Sequence, residues 1–177
     1  LREEILKEIK SLEHVGDLLP RVWVEIRRKL ESLNKNFISS NEYYSICLKH
    51  GINTEKANFL SQYLHDLGIF LHFQESPILQ NIVFLDPEWA TSAVYRIIDT
   101  ESVINNYGKF DFSELKSIWH DYPSDRHLYL VELMKKFELC FEIPDLKLYI
   151  IPELLNPSKP EINWDYEGNL RFEYHYD

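Results

Sequence analysis

One order of elements constrains this chain more than any other feature: two short helices followed by a β-hairpin, met twice. The first copy starts near Phe37. A short helix ends at Gly51, and Asn53 caps a second helix whose apolar stripe is Ala57, Leu60, Leu64 and Leu67. Gly68 stops it, and the strand IFLHF, the turn QESP and the strand NIVFL follow. About 70 residues later Ser113-Glu114 opens a helix through SIW. A second helix there carries Leu130, Leu133, Met134 and Phe137, and LCFEI turns at Pro144-Asp145 to return as LKLYII. Aligned, DLGIFLHF matches KFELCFEI in pattern, and FLDPEW matches IIPEL with one residue missing. Helix, helix and hairpin in this order describe a winged-helix-like unit.

The expected fold class is therefore α+β: N-terminal helices, two winged-helix-like units and a C-terminal β-hairpin. The divisions fall at 1–36 for the leading helices, 37–105 for the first unit with its following helix, 106–155 for the second unit, and 156–177 for a linker and terminal hairpin. In the first helix Ile5, Ile9 and Leu12 recur at helical spacing, and Gly16 and Pro20 end it. The next helix, RVWVEIRRKLESL, shows an apolar stripe of Val22, Ile26, Leu30 and Leu33 beside Arg27, Arg28 and Lys29. Ser40 or Asn41 is expected to cap the short helix that follows. Asp86, Pro87 and Glu88 form a strong start signal for a helix buried on more than one face. The terminal hairpin is expected to turn near Gly168. The opening without Met and the ending at FEYHYD suggest a piece of a longer protein.

Composition narrows the chemistry. Hydrophobic residues make up 45% and charged residues 27%, a globular balance. No apolar run reaches the ~20 residues of a membrane helix, and a cytoplasmic setting is expected. The formal charge of −10 repels phosphate backbones, so nucleic acid is not an expected partner. A tandem winged helix that binds duplex DNA is the alternative reading; neither second helix has a basic face to support it. Cys47 and Cys140 lie in apolar patterns without paired spacing and read as reduced core residues.

His65, Asp66 and His72 are the candidates for a metal or hydrolytic cluster. A helix end and a strand separate the histidines by seven residues, not the one-turn spacing that zinc favours. Asp86 and Glu88 have capping and dipole roles that explain them without acid–base chemistry. The five glycines form no phosphate-cradling loop, and no Ser or Cys lies in a nucleophile elbow. No catalytic residue, metal ligand or cofactor-binding residue is assigned.

The apolar hairpin is more informative. Along IFLHF, Ile69, Leu71 and Phe73 alternate with Phe70 and His72; along NIVFL both parities are apolar. A two-stranded ribbon with two apolar faces requires cover on both. One face packs on its own helices, and the other is expected to meet another body, by preference a separate domain. Which parity of NIVFL faces outward stays open at this point.

LHDLG, the LHF strand and DPEW at this interval resemble the COR domain of Roco proteins, a family that includes leucine-rich repeat kinases and prokaryotic relatives. The resemblance extends more loosely from LPRVWVEIRRKLE to FEYHYD and marks the N-terminal half of COR. It implies a non-catalytic coupling module within a parent GTPase. That module docks on a Roc-type G domain of the same chain and relays its nucleotide state to the second half of COR, through which a homodimer could form. It further implies GTP or GDP with Mg2+ in the upstream G domain and no cofactor here. It implies that the Roc-facing strand is Asn81–Leu85, with Val83 standing where some relatives carry an aromatic; the interface expected here comprises Phe70, His72, Val83, Phe84, Asp86 and Trp89.

Overall fold

A computed structural model describes residues 2–11 and 19–158. The expected hairpin around Gly168, the 159–177 end of the expected linker, and the expected stop at Gly16 lie outside the described residues. Helix α1 spans Arg2–Ser11. Pro20 precedes α2, Arg21–Glu31, with φ fixed at −53°. The stripe of α2 buries Ile26 and Leu30 and leaves Arg27, Arg28 and Lys29 outside.

The first unit opens with a strand that local sequence pattern does not reveal: β1, Phe37–Ser39. Helix α3, Ser40–Lys49, starts directly after it. Its cap is Ser39, not Ser40 or Asn41: the Ser39 hydroxyl accepts from the Glu42 N–H at 3.1 Å. Helix α4, Thr54–Asp66, is capped as expected, with Asn53 Oδ1 accepting from the Lys56 N–H at 3.0 Å. The expected strand IFLHF shrinks to a single bridge between Leu71 and Phe84. Strand β2, Ile82–Phe84, runs antiparallel to β1 in the register Phe37–Phe84, Ile38–Val83 and Ser39–Ile82.

Helix α5, Pro87–Ile98, follows at once, capped by Asp86 and buried on several sides through Ala90, Ala93, Val94 and Ile97. After α6, Glu101–Asn105, the second unit repeats the order of the first. Strand β3 spans Lys109–Asp111, α7 spans Leu115–Ile118 and α8 spans His127–Lys136. Strands β4, Phe141–Ile143, and β5, Leu148–Ile150, complete a sheet ordered β3-β5-β4, antiparallel throughout. Eight helices and two small antiparallel sheets among the described residues make the chain α+β.

Two clusters of buried side chains form the interior. The first gathers Ile26, Tyr43, Leu60, Phe70 and Val83 among others beneath α2, α3 and α4. The second gathers Ile82, Phe84, Ile97, Phe110, Trp119 and Leu130 among others around α5, α7 and α8. Strand β2 contributes to both, because alternate residues of a strand point to opposite faces.

This corrects the argument from the two-faced ribbon. Both faces are indeed apolar and covered, but the second cover comes from this chain's own later helices. Ile82, Val83 and Phe84 are all buried without any outside body. The pattern was real; the inference to an external neighbour does not follow from it.

Candidate interaction site

The residues expected to form an interface divide into a buried group and a surface group. Phe70 is buried with its ring edge-on to Tyr43 at 5.9 Å, and Tyr43 donates to the Ala57 carbonyl at 2.8 Å. His72 is buried beside them. Its Nε2 lies 3.1 Å from the Gln80 carbonyl, which only accepts, so Nε2 carries the proton. Its Nδ1 then accepts from the Ser61 hydroxyl at 2.6 Å. Burial pushes the His72 pKa below its ordinary value, which keeps the ring neutral.

A serine hydroxyl against a histidine has the composition of an activated nucleophile. Here Ser61 is fully buried and His72 nearly so, so no substrate reaches them and the pair acts as a structural clasp between α4 and the turn before β2. His65 does not join it as a ligand: its Nδ1 accepts a long bond, 3.4 Å, from the His72 backbone N–H, and its ring stands edge-on to Phe73 at 4.9 Å. Burial likewise pushes the Cys140 thiol up to about 12, far from a reactive thiolate at neutral pH.

Val83 and Phe84 complete the buried group. Asp86 and Trp89 form the surface group, both partly exposed. The Asp86 carboxylate accepts from the Trp89 N–H at 3.0 Å, and its own N–H donates to the Asn36 carbonyl at 3.1 Å. The same carbonyl receives the Leu85 N–H at 2.9 Å, so one acceptor ties the exit of β2 to the residue before β1.

Around Trp89 the structure assembles partners that the sequence reading missed. Its ring lies 5.5 Å from Phe37 and 5.0 Å from Tyr122. Beyond Phe37 stands the Arg126 guanidinium, 4.5 Å from the ring centre; beyond Tyr122 stands Arg96, at 5.2 Å, itself paired with Asp121. The five side chains form a ladder of cation, ring, ring, ring and cation across the seam between the two units. Arg126 Nε is buried and has no hydrogen-bond partner among the described residues. No local signal could have joined Phe37 to Arg126, because the contact links residues of different units.

The arrangement offers rigid aromatic area, two cations and a capping carboxylate. It holds nothing aimed at a reacting atom: Asp86 already serves the helix N-terminus. Among the described residues no group of three His, Cys, Asp or Glu side chains could hold a metal, and no helix is long and apolar enough to cross a membrane.

Residues 20–155 match the family described as C-terminal of Roc, COR-A domain. A probable serine/threonine-protein kinase of Dictyostelium discoideum, pats1, is 29% identical over 175 residues, 92% of this chain and 6% of the kinase. A Roc-COR-CHAT protease of Runella zeae is 23% identical over 161 residues, 86% of this chain and 17% of the protease. Among solved structures, Methanosarcina barkeri Roco2 RocCORdC bound to GDP superposes with a TM-score of 0.74 at 35% identity, over 86% of this chain and 49% of that one. The chain thus spans a small part of those two curated relatives and about half of the solved one.

Proposed function

Because the chain belongs to the COR-A domain family of Roco proteins, we propose that it is a non-catalytic coupling module of a larger cytoplasmic GTPase. In this reading it docks on a Roc-type G domain of its own parent and passes the nucleotide state of that domain to the rest of COR, where dimerisation resides. GTP or GDP with Mg2+ belongs to the G domain and not to this stretch. The Methanosarcina barkeri relative, which carries Roc and COR together and was solved with GDP, supports this assignment. The order of strand, helix pair and returning strand in both units, with a full strand pair in the second and a single Leu71–Phe84 bridge in the first, supports reading both as winged-helix-like.

The observation that carries the mechanism is the shared strand. β2 is three residues long, yet Val83 lies in one core and Ile82 and Phe84 in the other. Close-packed cores transmit displacement instead of absorbing it. A push on the Asp86–Trp89 corner therefore reaches both units through one short, rigid element. The contact face in this proposal is Asp86, Trp89 and the ladder beside it; Phe70, His72, Val83 and Phe84 back that face from within.

The test is hydrogen–deuterium exchange on a parent chain that includes the G domain, compared between GDP and a non-hydrolysable GTP analogue. Exchange is expected to change together at 82–89 and in α8. Identical exchange in both states at these positions would refute the coupling role.

A further inference from the structure

A different face of the first unit carries a docking surface. Residues of α2 and α4 line a common cleft of about 270 Å3. Trp23 lines it, with its ring 5.6 Å from Tyr63 and 5.8 Å from Phe59. On the far side of Trp23 a second depression of about 400 Å3 continues toward Phe59 and Lys56. Phe59, Tyr63 and Leu67 follow one another at i, i+4 and i+8 along α4 and its C-cap, an apolar row two turns long, or about 12 Å. Phe59 is 63% exposed and Leu67 54%. None of these residues belongs to the proposed G-domain contact.

The charges framing this surface point to its occupant. Arg27 and Arg28 line one cleft and Lys56 the other. Glu31, the acidic residue in the first cleft, is held by Arg27 at 2.8 Å. Asp66, beside Leu67 on α4, accepts from Gln62 at 2.8 Å. Arg28 and Lys56 have no carboxylate partner among the described residues. In a chain of net charge −10, this surface carries Arg28 and Lys56 with no carboxylate partner among the described residues, against one acidic neighbour, Asp66, whose partner is a neutral amide.

We infer that the α2–α4 surface receives an amphipathic helix of a partner polypeptide, apolar on one stripe and acidic along its flanks. A helix laid along this row meets it by ordinary ridge-and-groove packing, and its i, i+3, i+4, i+7 anchors match the length of the row. Exposed Phe59 and Leu67, with half-buried Trp23 and Tyr63 between the helices, supply the contact area, and Arg28 and Lys56 beside them select acidic over basic flanks.

The experiment titrates the 177-residue chain against a fluorescent helical peptide of about 15 residues with leucines on one stripe and glutamates elsewhere. A twin carries lysine in place of every glutamate. Saturable binding of the acidic peptide is expected, weakened about tenfold or more by Arg28→Glu or Phe59→Ser and about tenfold weaker for the lysine twin. Both substitutions lie on the exposed surface, and thermal melts verify that folding is kept. Absence of saturation, equal binding of the twin, or indifference to both substitutions would overturn the proposal. Self-association of the chain that Phe59→Ser abolishes would also overturn it, in favour of a second copy as the occupant.

Discussion

Val83 and Phe84 are adjacent in β2, both fully buried, and their side chains enter different cores. Val83 packs with Tyr43, Leu60 and Phe70; Phe84 packs with the cluster of α5 and α8. Such a strand cannot be loosened for one unit alone. Phe84 also exchanges two 2.9 Å backbone hydrogen bonds with Leu71, so the same residue closes the turn that carries His72.

Truncation at these sites is therefore a stability experiment before it is a binding one. Phe84→Ala is expected to cost ~3–5 kcal/mol through lost burial and a residual cavity, and Val83→Ala ~2 kcal/mol. Urea unfolding gives the magnitudes. Native-state hydrogen exchange gives the coupling: amides of α4 and of α8 should lose protection together in Phe84→Ala. Loss confined to α8 would show that the strand does not bind the units into one cooperative body.

Trp119 offers a second measure of the later core. Its indole N–H donates to the Ala93 carbonyl at 2.8 Å, fully buried, which fixes α7 against α5. Trp119→Phe removes the donor and part of the ring, so a loss of ~2–3 kcal/mol is expected from the broken bond and the space left. Thermal denaturation checks this. An unchanged midpoint would mean that the bond contributes nothing net.

The His72 clasp predicts the direction of acid sensitivity. Burial lowers the pKa of His72 in the folded chain, while the unfolded chain keeps the ordinary value near 6.5. Below that value the unfolded state binds a proton that the folded state resists. The stabilising contribution is therefore complete above pH ~6.5 and is lost as pH falls toward the depressed folded value. Unfolding midpoints at pH 7.5 and 5.0 should separate less in His72→Gln than in the parent chain, since the substitution removes the titrating ring. An equal separation in both would exclude His72 as the source.

Local chemistry accounts for what was legible in the sequence. Asn53 and Asp86 announce α4 and α5 because a cap needs only three residues of context, and the apolar stripe of α2 repeats over nearly three turns. β1 and β3 were invisible because three-residue strands show no period, and their partners lie far along the chain: Phe37 pairs with Phe84, and Lys109 with Ile150. NIVFL is apolar at both parities and Ile82, Val83 and Phe84 are all buried, but a hydropathy pattern says that a face is covered and not by what. The ladder through Phe37, Trp89 and Tyr122 needs three segments together, and no segment alone carries its signal.

Gly108 separates steric from conformational cost. Its φ is +77°, and an added Cβ would stand 2.5 Å from the Ile151 carbonyl oxygen, inside any contact distance real Cβ atoms adopt. That oxygen cannot withdraw cheaply, because the Ile151 N–H is bonded to the Gly108 carbonyl at 2.9 Å and Ile150, just before it, ends β5 paired with Lys109 of β3. Gly51 has nearly the same φ, +76°, with nothing within 4 Å of a Cβ. Gly51→Ala should thus cost only the left-handed strain, ~1 kcal/mol. Gly108→Ala adds a backbone clash to the same strain and should cost ~3 kcal/mol. Chemical denaturation of the two variants side by side gives the difference directly. Equal losses would mean that the Gly108–Ile151 approach relaxes freely and that the edge of the second sheet is softer than its hydrogen bonds imply.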